Sequence, residues 1–86
     1  MSETREHRLK RLTMRSMRRG IKEMDIILSR YAALRLEAFE DAQLDRYDAL
    51  LSENDQDLYQ WVSGQRPPPD PLKEMIADIS KVAFEG

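Results

Sequence analysis

Apolar side chains recur along this chain at intervals of three and four residues, which is the spacing of one face of an α-helix. The clearest run lies between residues 21 and 35, and its apolar positions are Ile21, Met24, Ile27, Leu28, Tyr31 and Leu34. Burying side chains of this type contributes roughly 1.5–3 kcal/mol each. We therefore expect this helix to be the centre of the fold, with Tyr31 in the core and its hydroxyl at the rim.

A basic helix is predicted before it, over residues 5 to 18. Its narrow apolar face consists of Leu9, Leu12 and Ser16, with Met14 and Met17 beside them. Arg8, Lys10, Arg11, Arg15 and Arg18 surround that face. Calmodulin targets and membrane-surface helices have a similar pattern. Because the apolar face is small and the next helix completes it, we expect a helix packed into the core.

Gly20 lies where the basic segment changes to the periodic one. Two roles are open for a glycine at such a junction. It can cap the end of the first helix, where positive φ is common, or it can allow another backbone or a partner surface to approach closely.

Two further helices are predicted after a connection over residues 36 to 40, from which Phe39 turns inward. The third helix starts at Glu40 or Asp41, and its buried residues are Leu44, Tyr47, Leu50 and Leu51. Asn54-Asp55 ends it, and Asp55 is expected to cap a short fourth helix. The large apolar residues of that helix are Leu58, Tyr59, Trp61 and Val62. Gly64 is a natural residue for its C-terminal end.

Residues 65 to 69 contain three consecutive prolines and predict an extended linker. A proline-motif ligand is an alternative, although prolines before a helix are more often a spacer. Asp70-Pro71 then favours the start of a fifth helix. Its stripe is Leu72, Met75, Ile76, Ile79 and Val82. The prediction is an all-α protein, a small bundle of about five short helices forming a single domain over residues 1–86.

The composition excludes several kinds of chemistry. The 86 residues include no cysteine and a single histidine, His7, so thiolate metal sites and a Ser-His-Asp constellation cannot form in one chain. Glu23 and Asp25 point in different directions on a helix, and no glycine-rich phosphate loop is present. No apolar run approaches a membrane span, and Glu3 and Glu6 argue against a transit peptide. These features lead us to expect a non-catalytic, cytoplasmic, bacterial protein that does not insert into membranes.

Charge is unevenly distributed, although the net charge is only −2. Residues 1 to 19 hold seven Lys and Arg, whereas residues 37 to 57 hold eight Asp and Glu against Arg46 alone. Two interpretations are open: two solvated helix faces that attract each other weakly, or a bipolar surface that steers a complementary partner.

Two short motifs resemble those of one known family. Arg19-Gly20-x-x-Glu23, followed by Asp25, resembles the RGxxE signature of the SdhE family of succinate dehydrogenase flavinylation factors. Downstream, Leu50-Leu51 and Asp55-x-Asp57-Leu58-Tyr59-x-Trp61 are similar to the family's LL…DxDLxxW segment. The resemblance covers most of residues 8 to 64. Beyond it, only the proline-bearing linker and a last helix correspond.

The resemblance implies a function and a site. The family binds the flavoprotein subunit of succinate dehydrogenase, with fumarate reductase open as a second client, and promotes covalent attachment of FAD to a histidine of that subunit. Carried over by position, the partner-binding residues are Arg19, Gly20 and Glu23, with Asp25, Arg18 and Lys22 as weaker candidates. Gly20 permits close approach, and Arg19 and Glu23 offer charge-assisted hydrogen bonds. We expect a monomer that holds no FAD stably and binds no nucleic acid. A helical nucleic-acid or other interaction module using the basic first helix is the alternative, and the sequence pI near 5.4 counts against it.

Overall fold

The computed structural model describes residues 3–85, and it places five α-helices in that range. They are α1 (Arg5–Arg15), α2 (Lys22–Arg35), α3 (Asp41–Leu51), α4 (Asp55–Val62) and α5 (Lys73–Glu85). Short 3₁₀ turns lie at Leu36–Ala38 and Asp70–Leu72. The described part of the chain contains no strand, so the all-α prediction is confirmed.

α2 is the central helix, as its periodicity predicted, because it packs against α1, α4 and α5. Met24, Leu28 and Tyr31 are all buried on its inner side. Leu34, predicted to belong to the same stripe, is instead 55% exposed. The stripe prediction was wrong there because Ala32 and then Leu36, in the 3₁₀ turn, take the inward positions at this end of the helix.

An aromatic cluster forms the middle of the core. The rings of Tyr31, Phe39 and Tyr47 lie with their centroids 5.8 to 6.5 Å apart in tilted or edge-on arrangements. Both tyrosine hydroxyls have polar partners. Tyr31 donates to Asp78 Oδ2 at 2.8 Å at the rim of the core, whereas Tyr47 shares a 2.6 Å hydrogen bond with Ser16 inside it. Burial raises the pKa of Tyr47 to about 12. The core role predicted for Tyr31 and the inward turn of Phe39 are confirmed.

The first helix is shorter than predicted, because it ends at Arg15 rather than at residue 18. Ser16 is fully buried, and its hydroxyl bonds back to the Leu12 carbonyl at 2.8 Å, a side-chain bond that competes with the helical ladder. Met14 and Met17 are 66% and 45% exposed, so they do not belong to the buried face.

Two predicted helix starts also differ from the structure. Asn54, not Asp55, caps α4, since its Oδ1 accepts from the Gln56 N–H at 2.8 Å. Residues 65 to 69 carry no helix, and after them a 3₁₀ turn containing Pro71 precedes α5, which begins at Lys73. The predicted stripe of α5 is buried throughout, and Gly64 ends α4 with a φ of 84°.

Candidate functional site

The residues suggested by the RGxxE resemblance occupy the connection between α1 and α2 and the first turn of α2. Arg18, Gly20, Lys22 and Glu23 are exposed there, and Asp25 is half-buried. Arg19 differs from its neighbours, because its side chain retains only 12% exposure. Five of the six residues are therefore at least partly exposed, whereas the Arg19 side chain is turned inward.

Arg19 forms hydrogen bonds within its own chain. Its Nε donates to Asp55 Oδ1 at 2.8 Å, and Nη2 lies 2.6 Å from the same oxygen. Nη1 donates to the carbonyls of Arg15 and Leu51, each at 3.1 Å. Arg19 does not pair with Glu23, because its guanidinium binds Asp55 and two backbone carbonyls.

Gly20 does not cap the first helix, since α1 ends at Arg15 and Ser16 is its C-cap residue. Its role is close approach: the Gly20 N–H donates to Asp55 Oδ2 at 2.5 Å, and a Cβ placed on Gly20 would lie 3.3 Å from that oxygen. The left-handed backbone conformation belongs instead to Arg18, with a φ of 54°. Such a conformation costs a non-glycine residue about 1–2 kcal/mol, so the surrounding contacts must hold it in place.

Glu23 lies in the first turn of α2, where a carboxylate is favoured by the helix dipole. Ile21, the N-cap residue, has no side-chain acceptor for the free N–H groups. Glu23 is exposed, and within residues 3–85 its carboxylate has no hydrogen-bond or ion-pair partner. The Asp25 carboxylate, in contrast, has a hydrogen-bond partner, because it accepts from Ser29 Oγ at 3.3 Å.

The basic face of α1 is paired with the acidic face of α3. Arg8 binds Asp45, and both Arg11 and Arg15 bind Asp48. Arg11 also contacts Glu3 at 2.8 Å, and that hydrogen bond lowers the pKa of Glu3. Of the two interpretations of the uneven charge, mutual attraction of the two faces agrees with these contacts.

A second polar cluster, absent from the sequence expectations, joins α2 to α5. Asp78 accepts from the Tyr31 hydroxyl at 2.8 Å and from Arg35 at 3.1 and 3.3 Å. Burial alone would raise the pKa of Asp78, but the hydrogen bonds from Arg35 and Tyr31 outweigh it and lower that pKa. Burial, followed by the bond to Asp78, raises the pKa of Tyr31. The cluster fixes the last helix to the central one.

Neither cluster resembles a metal or catalytic centre. In the described residues, no group of three or more histidine or acidic side chains is placed to hold a metal ion. In the α1–α2 connection, the Arg19 side chain and the Gly20 N–H both bind Asp55, which joins the connection to the start of α4.

Comparison with known proteins agrees with the motif resemblance. Residues 10–83 match the model of the Sdh5 family, described as the flavinator of succinate dehydrogenase. The chain belongs to this family. The family assignment made from the RGxxE and DxDLxxW motifs is therefore confirmed.

Three fungal proteins are similar to the chain. The chain is 45% identical over 75 residues to the mitochondrial succinate dehydrogenase assembly factor 2 of Meyerozyma guilliermondii, covering 84% of this chain and 56% of the relative. The protein of the same name from Scheffersomyces stipitis is 44% identical, with 84% and 50% covered. The one from Schizosaccharomyces pombe is 38% identical over 81 residues, with 92% and 58% covered. The chain thus spans about half the length of these relatives.

The expected location was wrong. We predicted a bacterial cytoplasmic protein, whereas these relatives are named as mitochondrial. The prediction used Glu3 and Glu6 as evidence against a mitochondrial transit peptide, and Glu3 pairs with Arg11 in the folded domain. Among the helices of residues 3–85, none combines the length and the apolar character needed to cross a membrane.

Proposed function

We propose that this protein is a succinate dehydrogenase assembly factor that binds the flavoprotein subunit and promotes covalent attachment of FAD to it. The observation that carries the proposal is the family match over residues 10–83. The names of the relatives, assembly factors of succinate dehydrogenase, support it. Fumarate reductase, whose flavoprotein is the second client implied by the resemblance, belongs to the same proposal.

The proposed contact surface consists of the exposed residues of the connection and the first turn of α2. Arg18, Gly20, Lys22 and Glu23 form its centre, and Asp25 lies at its edge. Glu23 is the strongest single candidate, because an exposed carboxylate without a partner in the described residues is available to a cation of the flavoprotein. Arg19 is not part of this surface, because its side chain is largely buried; it supports the surface through its bond to Asp55.

The mechanism we propose is selection of a conformation. The factor binds more tightly to the flavoprotein state in which the flavin and the acceptor histidine are aligned, and it thereby raises the population of that state. The bond-forming chemistry belongs to the flavoprotein and its flavin. In keeping with this, the chain has no cysteine, a single histidine and no dinucleotide-binding glycine motif. We propose that it acts as a monomer and holds no FAD of its own.

Glu23→Ala tests the proposal. The change should alter the free energy of unfolding by no more than about 0.5 kcal/mol, because Glu23 is exposed. If Glu23 is buried against a cation in the complex, binding should weaken by roughly 2–5 kcal/mol. Covalent flavin on the flavoprotein, seen as fluorescence after denaturing electrophoresis, should fall in cells that carry only this variant.

The matched control is Glu74→Ala, which removes another exposed glutamate, from the first turn of α5. That variant should bind and flavinylate like the wild type. Normal flavinylation by folded Glu23→Ala protein would remove the contact surface from the proposal. Absence of any binding by the wild-type chain to the flavoprotein subunit would remove the function itself.

A nucleic-acid module remains the alternative in a different class. Its support is the basic face of α1, yet Arg8, Arg11 and Arg15 already face carboxylates of α3. A phosphate backbone would have to displace those carboxylates to bind. We therefore propose the flavoprotein as the partner, and a salt titration with duplex DNA separates the two functions.

A further inference from the structure

We propose that Asp55 is a positioning residue for the flavoprotein-binding surface, and the inference rests on the function proposed above. Asp55 is the first residue of α4 and lies outside the RGxxE motif, yet its carboxylate binds the two residues that begin that motif. Through them it holds the α1–α2 connection in the shape that presents Glu23.

The geometry is a two-sided bridge. Asp55 Oδ1 accepts from the Arg19 guanidinium at 2.8 Å, and Oδ2 accepts from the Gly20 backbone N–H at 2.5 Å. The two side chains are 12% and 14% exposed, so solvent screens this pair much less than it screens a surface ion pair. A single carboxylate thus binds both the Arg19 side chain and the Gly20 backbone of the connection.

Arg19 extends the bridge to two helix ends. Its Nη1 donates to the carbonyls of Arg15 and Leu51, the last residues of α1 and α3. Carbonyls at the C-terminal end of a helix have no hydrogen-bond donor within the helix, so Arg19 satisfies two carbonyls that would otherwise lack one. The result is that α1, α3 and α4 meet at a single guanidinium.

Only a short stretch of backbone separates the Asp55 bridge from Glu23. Gly20 is three residues before Glu23, and Ile21 between them gives the start of α2 no side-chain cap. Arg18, immediately before the bridge, has a φ of 54°. A left-handed residue persists only where its neighbours hold it, and the bonds of Arg19 and Gly20 to Asp55 are the contacts that do so. Without Asp55 the connection is released, and the first turn of α2 loses its fixed position.

Asp55→Asn is a suitable perturbation because Asp55 does not cap its own helix. Asn54 accepts from the Gln56 N–H, so α4 keeps its start in the variant. An asparagine side chain presents one acceptor oxygen and one NH₂ donor. It therefore cannot accept from Arg19 and Gly20 with two oxygens, and one of the two bonds is lost.

The matched control is Asp78→Asn at the α2–α5 junction. Asp78 also accepts from an arginine and from a neutral donor, Arg35 and the Tyr31 hydroxyl. Both variants replace one carboxylate oxygen of an arginine-bound aspartate by an NH₂ group. The control pair is more exposed, at 38% for Arg35 and 35% for Asp78, and only the Asp55 pair touches the connection. Both are to be titrated with purified flavoprotein subunit supplied with FAD, at concentrations corrected for the folded fraction. Hydrogen exchange of the Gly20 amide is measured on the free proteins.

Asp55→Asn is expected to weaken flavoprotein binding by about tenfold, within the range of indirect coupling effects, and to accelerate exchange at Gly20. Asp78→Asn is expected to stay within about twofold of the wild type in binding, as distant sites do, and to leave Gly20 exchange unchanged. Equal binding by wild type and Asp55→Asn, or equal weakening by both variants, would overturn the positioning role. So would unchanged exchange at Gly20. If the wild type itself does not bind, the proposed function fails, which is a separate and recognisable outcome.

Discussion

Leu28→Ala is the most direct test of the packing described above. Leu28 is fully buried in the middle of α2, the helix that packs against α1, α4 and α5. The change removes three carbon groups at about 0.8 kcal/mol each, or about 2.4 kcal/mol of lost burial. The cavity left behind adds to this, so a total of roughly 2–5 kcal/mol is expected. Stability of small domains is about 5–15 kcal/mol, so the loss is a large fraction of the whole.

Leu34→Ala is the internal control, because it makes the same change on the same helix at a side chain that is 55% exposed. Its expected cost is within about 0.5 kcal/mol. Urea denaturation followed by circular dichroism gives both values from the shift in midpoint, provided that the slope of each transition is unchanged. The reasoning is refuted if Leu28→Ala also costs less than about 0.5 kcal/mol, or if the two substitutions cost the same.

Three other outcomes are expected. Hydrogen bonding lowers the pKa of Asp78 in the folded protein below its ordinary value of 3.8. The stabilisation that the ionised Asp78 carboxylate provides is therefore present above that pH and is lost as the pH falls below it. Denaturant titration should show that the wild type loses more stability below pH 4 than Asp78→Asn does. Gly64→Ala should cost about 1 kcal/mol, because its φ is 84°, and leave flavoprotein binding intact, whereas Gly20→Ala should weaken binding by displacing Asp55. Fluorescence anisotropy should detect no duplex DNA binding at physiological salt, since Arg8, Arg11 and Arg15 of α1 are already paired with carboxylates.

The motif residues illustrate why function and stability are mixed at this site. Arg19 belongs to the RGxxE signature, and a resemblance based on short motifs treats it as a contact residue. In the folded chain its guanidinium joins the ends of α1 and α3 to the start of α4. A substitution of Arg19 should therefore lower both the stability and the binding affinity, whereas Glu23 offers a change in affinity alone. Loss of function at Arg19 is consequently weak evidence for direct contact.

The sequence by itself determined which segments are helical and most of the residues that the helices bury. The apolar spacing in α2 and α5 identified Leu28 and Ile79 as core residues, because a regular helix of 3.6 residues per turn brings such positions to one face. The family and the position of Glu23 on the surface also followed from local patterns. These features depend on residues within a few positions of one another, and periodicity reports them directly.

Only the tertiary structure decided what the polar residues near helix ends do. Asp55 looked like a helix cap, and Arg19 looked like an exposed contact, because each has many possible partners at short range. Asp55 instead binds Gly20 and Arg19, which lie 35 and 36 residues before it in the chain. No local pattern encodes that pairing, since it depends on how α3 and α4 are oriented after the core has formed. The end of α1 has the same origin, because Ser16, the residue after its last turn, shares a hydrogen bond with Tyr47 of α3.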